Sequence, residues 1–90
     1  MKEFNPTICK NLVEKIIGDP IYVTHKRKKG GFDFRVGLSE KGIEDRAKLI
    51  YALEIGISFA LNMELATPIQ YLTDRMELQF KVRILEKTNV

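Results

Sequence analysis

Apolar and polar residues alternate in two neighbouring stretches, "IYVTHKR" (21–27) and "FDFRVGL" (32–38), and again in "ELQFKVRILEK" (77–87). A period of two sends successive side chains to opposite faces of a strand, so each stretch is read as a half-buried β-strand. Lys28-Lys29-Gly30-Gly31 joins the first two. For Val23 and His25 to share a face with Phe32, Phe34 and Val36, that loop must contain an even number of residues. A two-residue turn at Lys29-Gly30 sets Lys26 opposite Asp33, Val23 opposite Val36 and Ile21 opposite Leu38. Moving the turn to Gly30-Gly31 would set Lys26 against Arg35, a like-charge pair, which is worse. Glycine supplies the positive φ that such tight turns need.

Two other stretches repeat with helical spacing. In "NPTICKNLVEKIIGDP" (5–20), Ile8, Leu12 and Ile16 recur every four residues, flanked by Cys9, Val13 and Ile17, which makes one apolar helix face. Asn5 is placed to cap this helix, Pro6 suits its first position, and Gly18-Asp19-Pro20 stops it. A second helix starts after Ser39 as N-cap, with Glu40, Glu44 and Asp45 near its positive end, and its pattern runs on to about Met63. It carries two apolar faces, Ile50, Leu53, Ile57 and Leu61 on one and Tyr51, Ile55 and Phe59 on the other. A helix lying on a sheet needs only one, so the Tyr51 face must be covered by the N-terminal helix, by residues 68–76, or by a second subunit at a twofold interface. Ala52, Gly56 and Ala60 align at every fourth position and would let another backbone come close. Thr67-Pro68-Ile69-Gln70 has the form of a capping box, which predicts a short helix with Ile69, Leu72 and Met76 inward.

The expected fold is therefore α+β, a single domain over residues 1–90 with the order α-β-β-α-α-β. A small, mainly antiparallel three-stranded sheet would carry its helices on one face. This order resembles that of bacterial-type KH domains, an RNA-binding fold. That family clamps nucleic acid with a G-x-x-G loop between paired helices. The corresponding turn here, "NMELAT" (62–67), has no glycine, and the helix before it is longer than the family's, so no KH binding residue carries over.

Charge changes the picture more than composition does. The net charge is +3, and residues 22–35 hold five cations, Lys26, Arg27, Lys28, Lys29 and Arg35, against Asp33 alone. The rest of the chain, with 10 cations and 11 anions, is nearly balanced. On the open sheet face Lys26 and Arg35 would join Lys81 and Arg83, continuous with the Lys28-Lys29 tip, with Tyr22 as a stacking residue. That is the arrangement nucleic-acid binding asks for, and Arg27 and Arg35 could each grip a phosphate with two hydrogen bonds. The same charges attract an acidic protein surface, and lysines also serve the ordinary purpose of protecting strand edges from aggregation.

Other chemistry is sparse. His25 sits on the apolar side of its strand, where a partly buried, hydrogen-bonded histidine is the ordinary outcome. Cys9 lies in another element with no metal-type spacing. Glu54 has no second carboxylate or nucleophile to work with and reads as a solvated helix edge. There is no phosphate-binding glycine loop, no Ser/His/Asp set and no paired acids at catalytic spacing. These absences argue against an enzyme, and no cofactor or metal is expected. One cysteine, no secretory apolar run and no apolar stretch of membrane-spanning length point to a cytoplasmic protein without a membrane partner. The expected function is non-catalytic binding of nucleic acid, RNA or DNA, or another polyanion through Tyr22, Lys26, Arg27, Lys28, Lys29, Arg35, Lys81 and Arg83. The alternative is a protein–protein interaction module, a small regulator or inhibitor. It would use the basic tip against an acidic partner, or Tyr51, Ile55 and Phe59 as its interface, in a homodimer for example.

Overall fold

The structure, a computed structural model, describes residues 6–60 and 63–85. It is an α+β fold with helices α1 (Pro6–Ile17), α2 (Glu40–Glu44) and α3 (Arg46–Ala60) and strands β1 (Tyr22–Lys28), β2 (Gly31–Gly37), β3 (Met63–Leu65), β4 (Gln70–Leu72) and β5 (Glu77–Ile84). All the strands are antiparallel to their neighbours in one five-stranded sheet.

The hairpin takes the register that charge and parity favour. Lys26 lies opposite Asp33, Val23 opposite Val36 and Lys28 opposite Gly31, which leaves Lys29-Gly30 as the turn. Gly30 holds φ at 78°, a conformation costly for residues with a Cβ. Gly31 is needed for a different reason: a Cβ there would run into the Val82 carbonyl oxygen of β5. The hairpin is not a projecting arm. β2 pairs with β5 along its whole length, and the Ile84 N–H bonds the Gly30 carbonyl at 2.8 Å, so the hairpin end is flush with the end of β5. The expected Ile21–Leu38 pair does not form. Ile21 donates to the Gly37 carbonyl and is 67% exposed, while Leu38 is buried and donates to Met76.

Strand β5 is the centre of the sheet. Its second edge is covered by β3 near Ile84 and by β4 near Glu77, so β3 and β4 act as one interrupted edge strand. Four residues, Ala66 to Ile69, lie between the two segments, against only Phe80 and Lys81 on β5. This is a wide bulge around Pro68, which has no N–H to give a ladder. The helix expected over residues 68–76 is therefore absent. Thr67-Pro68-Ile69-Gln70 marks the bulge and not a helix cap, Leu72 ends β4, and Met76 is exposed at positive φ, 51°. The sheet has five strands rather than three, and the KH-like order is not kept.

The inner sheet face carries Val23, Phe32, Phe34, Val36, Leu78, Phe80 and Val82, all buried, with the Phe34 and Phe80 rings stacked at 5.4 Å. Cys9 and Val13 of α1 and Leu53 and Ile57 of α3 complete this core. Ile8 is half-exposed, so α1 turns toward Cys9 and Val13 rather than centring on the Ile8 line. The expected cap, Asn5, lies outside the described residues. α1 and α3 approach closely where Gly56 faces the Ile16 side chain; a Cβ on Gly56 would sit 2.6 Å from Ile16 Cδ1. Ser39 caps α2 as expected, its Oγ accepting from the Gly42 N–H at 3.2 Å. The long central helix is broken at Asp45, whose φ/ψ of −96°/12° leaves the helical region.

Gly31→Ala is expected to lower the unfolding free energy by about 2–3 kcal/mol, because β2 and β5 must separate to admit the methyl group. Gly30→Ala faces open space and is expected to cost only about 1–2 kcal/mol for its left-handed backbone. Urea denaturation of both variants measures the difference, and equal midpoints would show that the two backbones do not meet at Gly31.

Candidate nucleic-acid interface

Strand alternation and register arrange the outer sheet face in four rows. Nearest the hairpin turn, Lys28, Gly31, Arg83 and Glu64 are neighbours across four strands. Next come Lys26, Asp33 and Lys81, then Thr24, Arg35, Gln79 and Gln70. The last row is Tyr22, Gly37, Glu77 and Leu72. The structure thus brings Lys26, Lys28, Arg35, Lys81 and Arg83 onto one surface, all exposed, with Lys29 beside them in the turn. Along a strand, side chains on one face recur about every 6.6–6.8 Å, and adjacent strands lie about 4.8 Å apart. The five cations therefore form a lattice with steps comparable to those between successive phosphates.

Two of the cations are already paired. Arg83 Nη1 donates to Glu64 Oε1 at 3.0 Å, and Lys28 Nζ lies 3.9 Å from Asp33 Oδ2. The cations of these pairs are exposed and the acids half-buried, and pairs so open to solvent contribute little to stability. Lys26 and Lys81 have no ion pair among the described residues. Between β2, β5 and the bulge lies a shallow hollow of about 110 Å³, lined by Arg35, Lys81, Thr67, Gln70, Gln79 and Asp33 among others.

Arg27 does not join this surface. It lies on the helix side of the sheet, its guanidinium carbon 5.5 Å from the Phe32 ring centroid. His25 is also on that side, against Phe32 at 5.7 Å and Phe34 at 5.6 Å, but it is exposed and not partly buried as expected. His25 and Arg27 thus border the aromatic cluster of Phe32 and Phe34.

Tyr22 is held in place. Its ring lies over Gly37, where any Cβ would collide with it, and its hydroxyl donates to Glu77 Oε1 at 2.6 Å. Gln79 Nε2 donates to the other carboxylate oxygen at 2.5 Å. Among the described residues Glu77 is the buried charged one, at 4% exposure. Burial pushes its carboxyl up, but the hydrogen bonds from Tyr22 and Gln79 and the charges of Arg35 and Arg75 outweigh it, so the pKa lies below its ordinary value. The same bond to Glu77, with burial and the carboxylate charge, raises the Tyr22 phenol. Tyr22 nevertheless stays 39% exposed, so the fixed ring retains an accessible surface.

Glu64 and Glu77 are the residues that sequence reasoning missed. Glu77 shares the parity of Gln79, Lys81 and Arg83, which puts it on the outer face, but only the β1-β2-β5 order sets it across Gly37 from Tyr22. Elsewhere, Cys9 is buried and its thiol is pushed up to about 12, which leaves it protonated and unreactive. The described residues contain no cluster able to hold a metal ion and no helix long and apolar enough to cross a membrane. No protein-family model, curated protein or solved structure matches the chain.

Because the folded-state pKa of Glu77 is depressed, its stabilising contribution is complete above the ordinary carboxylate pKa and is lost as pH falls through the folded value. Tyr22→Phe removes one hydrogen bond to the carboxylate. The Glu77 titration should then move to higher pH, and acid unfolding should begin earlier. Carboxyl ¹³C NMR follows this directly, and an unmoved titration would show that the Tyr22–Glu77 bond does not form in solution.

Proposed function

We propose that the outer sheet face binds nucleic acid without catalysis, through the phosphates and with one base stacked on Tyr22. The observation that carries this reading is the convergence of Lys26, Lys28, Arg35, Lys81 and Arg83 from three strands onto one exposed surface, opposed there by Asp33, Glu64 and the buried Glu77. An edge strand can be protected by its own lysines. Lys81 and Arg83, however, project from the central strand, which has no free edge to protect.

The face is graded. Cations dominate the rows near the turn, and the far row holds Tyr22 with Glu77. Arg35 stands one row from Tyr22, about 6.6–6.8 Å along the strand. A nucleotide whose base lies on Tyr22 would place its phosphate toward Arg35, and the following phosphates would run toward Lys26, Lys81 and Lys28. Arg27, on the other side, contributes only long-range attraction. A fixed ring favours stacking because little side-chain freedom is lost on binding.

Fluorescence anisotropy with a labelled single-stranded oligonucleotide tests this. Affinity should fall steeply with salt. Lys26→Gln and Lys81→Gln should each flatten the salt dependence by about one slope unit. Tyr22→Ala should cost about 1–3 kcal/mol, with the salt slope unchanged. Absence of binding at low salt, or equal competition by polyglutamate, would end the nucleic-acid reading.

A further inference from the structure

Helix α3 turns a line of large apolar side chains away from the protein. Tyr51 is 66% exposed, Ile55 41% and Phe59 86%. Neither α1 nor residues 68–76 covers them, which leaves the third of the coverings expected from the sequence, a second subunit. Leu53 and Ile57, nearly opposite on the same helix, are fully buried. The line therefore points out of the core, on the side remote from the outer sheet face. We propose that it is a homodimer interface, in which α3 packs antiparallel against α3 of a second copy about a twofold axis at Ile55.

Three features select a second copy. First, the line is symmetric in spacing: Tyr51 and Phe59 each lie four residues from Ile55. An antiparallel crossing at Ile55 sets Tyr51 of each copy against the partner's Phe59, an aromatic pair on both sides of the axis, so the surface is complementary to itself. Antiparallel helices also oppose their dipoles favourably.

Second, the exposed area sets the strength of the contact. A large aromatic side chain offers about 150–250 Å², so the observed exposures give about 400 Å² per copy from these three residues. Two copies together would bury about 800 Å² through these residues, below the ~1,200 Å² of a small specific interface, which corresponds to a weak, reversible dimer.

Third, charge directs the contact here. Pairing through α3 leaves the two cationic faces pointing outward, away from each other, whereas pairing through the sheet faces would set five cations against five. The proposal does not rest on the nucleic-acid reading, since the interface contains none of those cations.

Analytical ultracentrifugation without nucleic acid tests it. The wild type should sediment as a dimer at micromolar concentration. Phe59→Asp should weaken association by roughly tenfold or more, with circular dichroism unchanged because Phe59 is not in the core. A second variant checks the geometry. Ile55→Cys, on the axis, should cross-link to its own copy on oxidation, whereas Glu40→Cys on α2 should not; native Cys9 is buried and does not compete. A wild type that stays monomeric at high micromolar concentration overturns the proposal. So does a dimer that survives Phe59→Asp, or cross-linking at Glu40 but not at Ile55. A monomer that instead floats with phosphatidylcholine–phosphatidylglycerol vesicles, and loses this with Phe59→Asp, also overturns it and assigns the line to a lipid surface.

Discussion

The pairing of β5 with both of its neighbours is the constraint on which the remaining structure rests. β5 is the last strand among the described residues, yet it lies between β2 and the interrupted β3–β4 edge. Its residues supply half of the central aromatic stack, Phe80 against Phe34, and two of the five cations on the outer face. The hairpin alone would offer Lys26, Lys28 and Arg35 on a two-stranded ribbon, which is marginal in water. With β5 in place, Gly31 is locked against Val82, the rows extend across three strands, and Tyr22 acquires the carboxylate that holds it. Because the contacts of β5 span most of the chain, the fold is rich in non-local pairing, which slows folding relative to a helical protein of this size.

Much of this was legible wherever parity and local chemistry decide the outcome. The hairpin register followed from two demands, that Val23 face Val36 and that Lys26 avoid Arg35. Ser39 capped the helix it was expected to cap, and β5 followed its alternation. Three features were not legible, each for a physical reason. Thr67-Pro68-Ile69-Gln70 has the local form of a helix start, but β5 had an unpaired edge, and satisfying that edge outweighed a four-residue signal. The break at Asp45 leaves the helical periodicity on either side intact, so nothing in the pattern announces it. Strand order was not readable at all, and the partners of Arg83 and Tyr22, Glu64 and Glu77, depend on it.

The candidate site divides along the same line. Lys26, Arg35, Lys81 and Arg83 were assigned to one face by parity, with Lys28 in the adjoining tip; the structure places all five on that face. Arg27 has the opposite parity, and a charge count along the chain conceals this. The two halves of the protein then present different chemistry: a charged sheet face, for which we propose an anionic strand, and an apolar helix face, for which we propose a second copy. If both readings hold, a dimer would carry two outward-facing nucleic-acid surfaces and could hold two segments of one strand, with a gain from local concentration rather than from new contacts.

The bulge at Pro68 has a further consequence. A sheet grows by adding strands at its edges, and this one closes its edges by different means. On the β3–β4 side, Pro68 and the four-residue excursion interrupt the ladder so that no incoming strand can pair along its length. On the β1 side, Lys26, Arg27 and Lys28 crowd the exposed edge with charge, which discourages an incoming strand. The sheet therefore has a fixed width. A protein that must stay dispersed while concentrated along a polymer would gain from that limit, because crowding on the polymer would not convert neighbouring copies into a continuous ribbon.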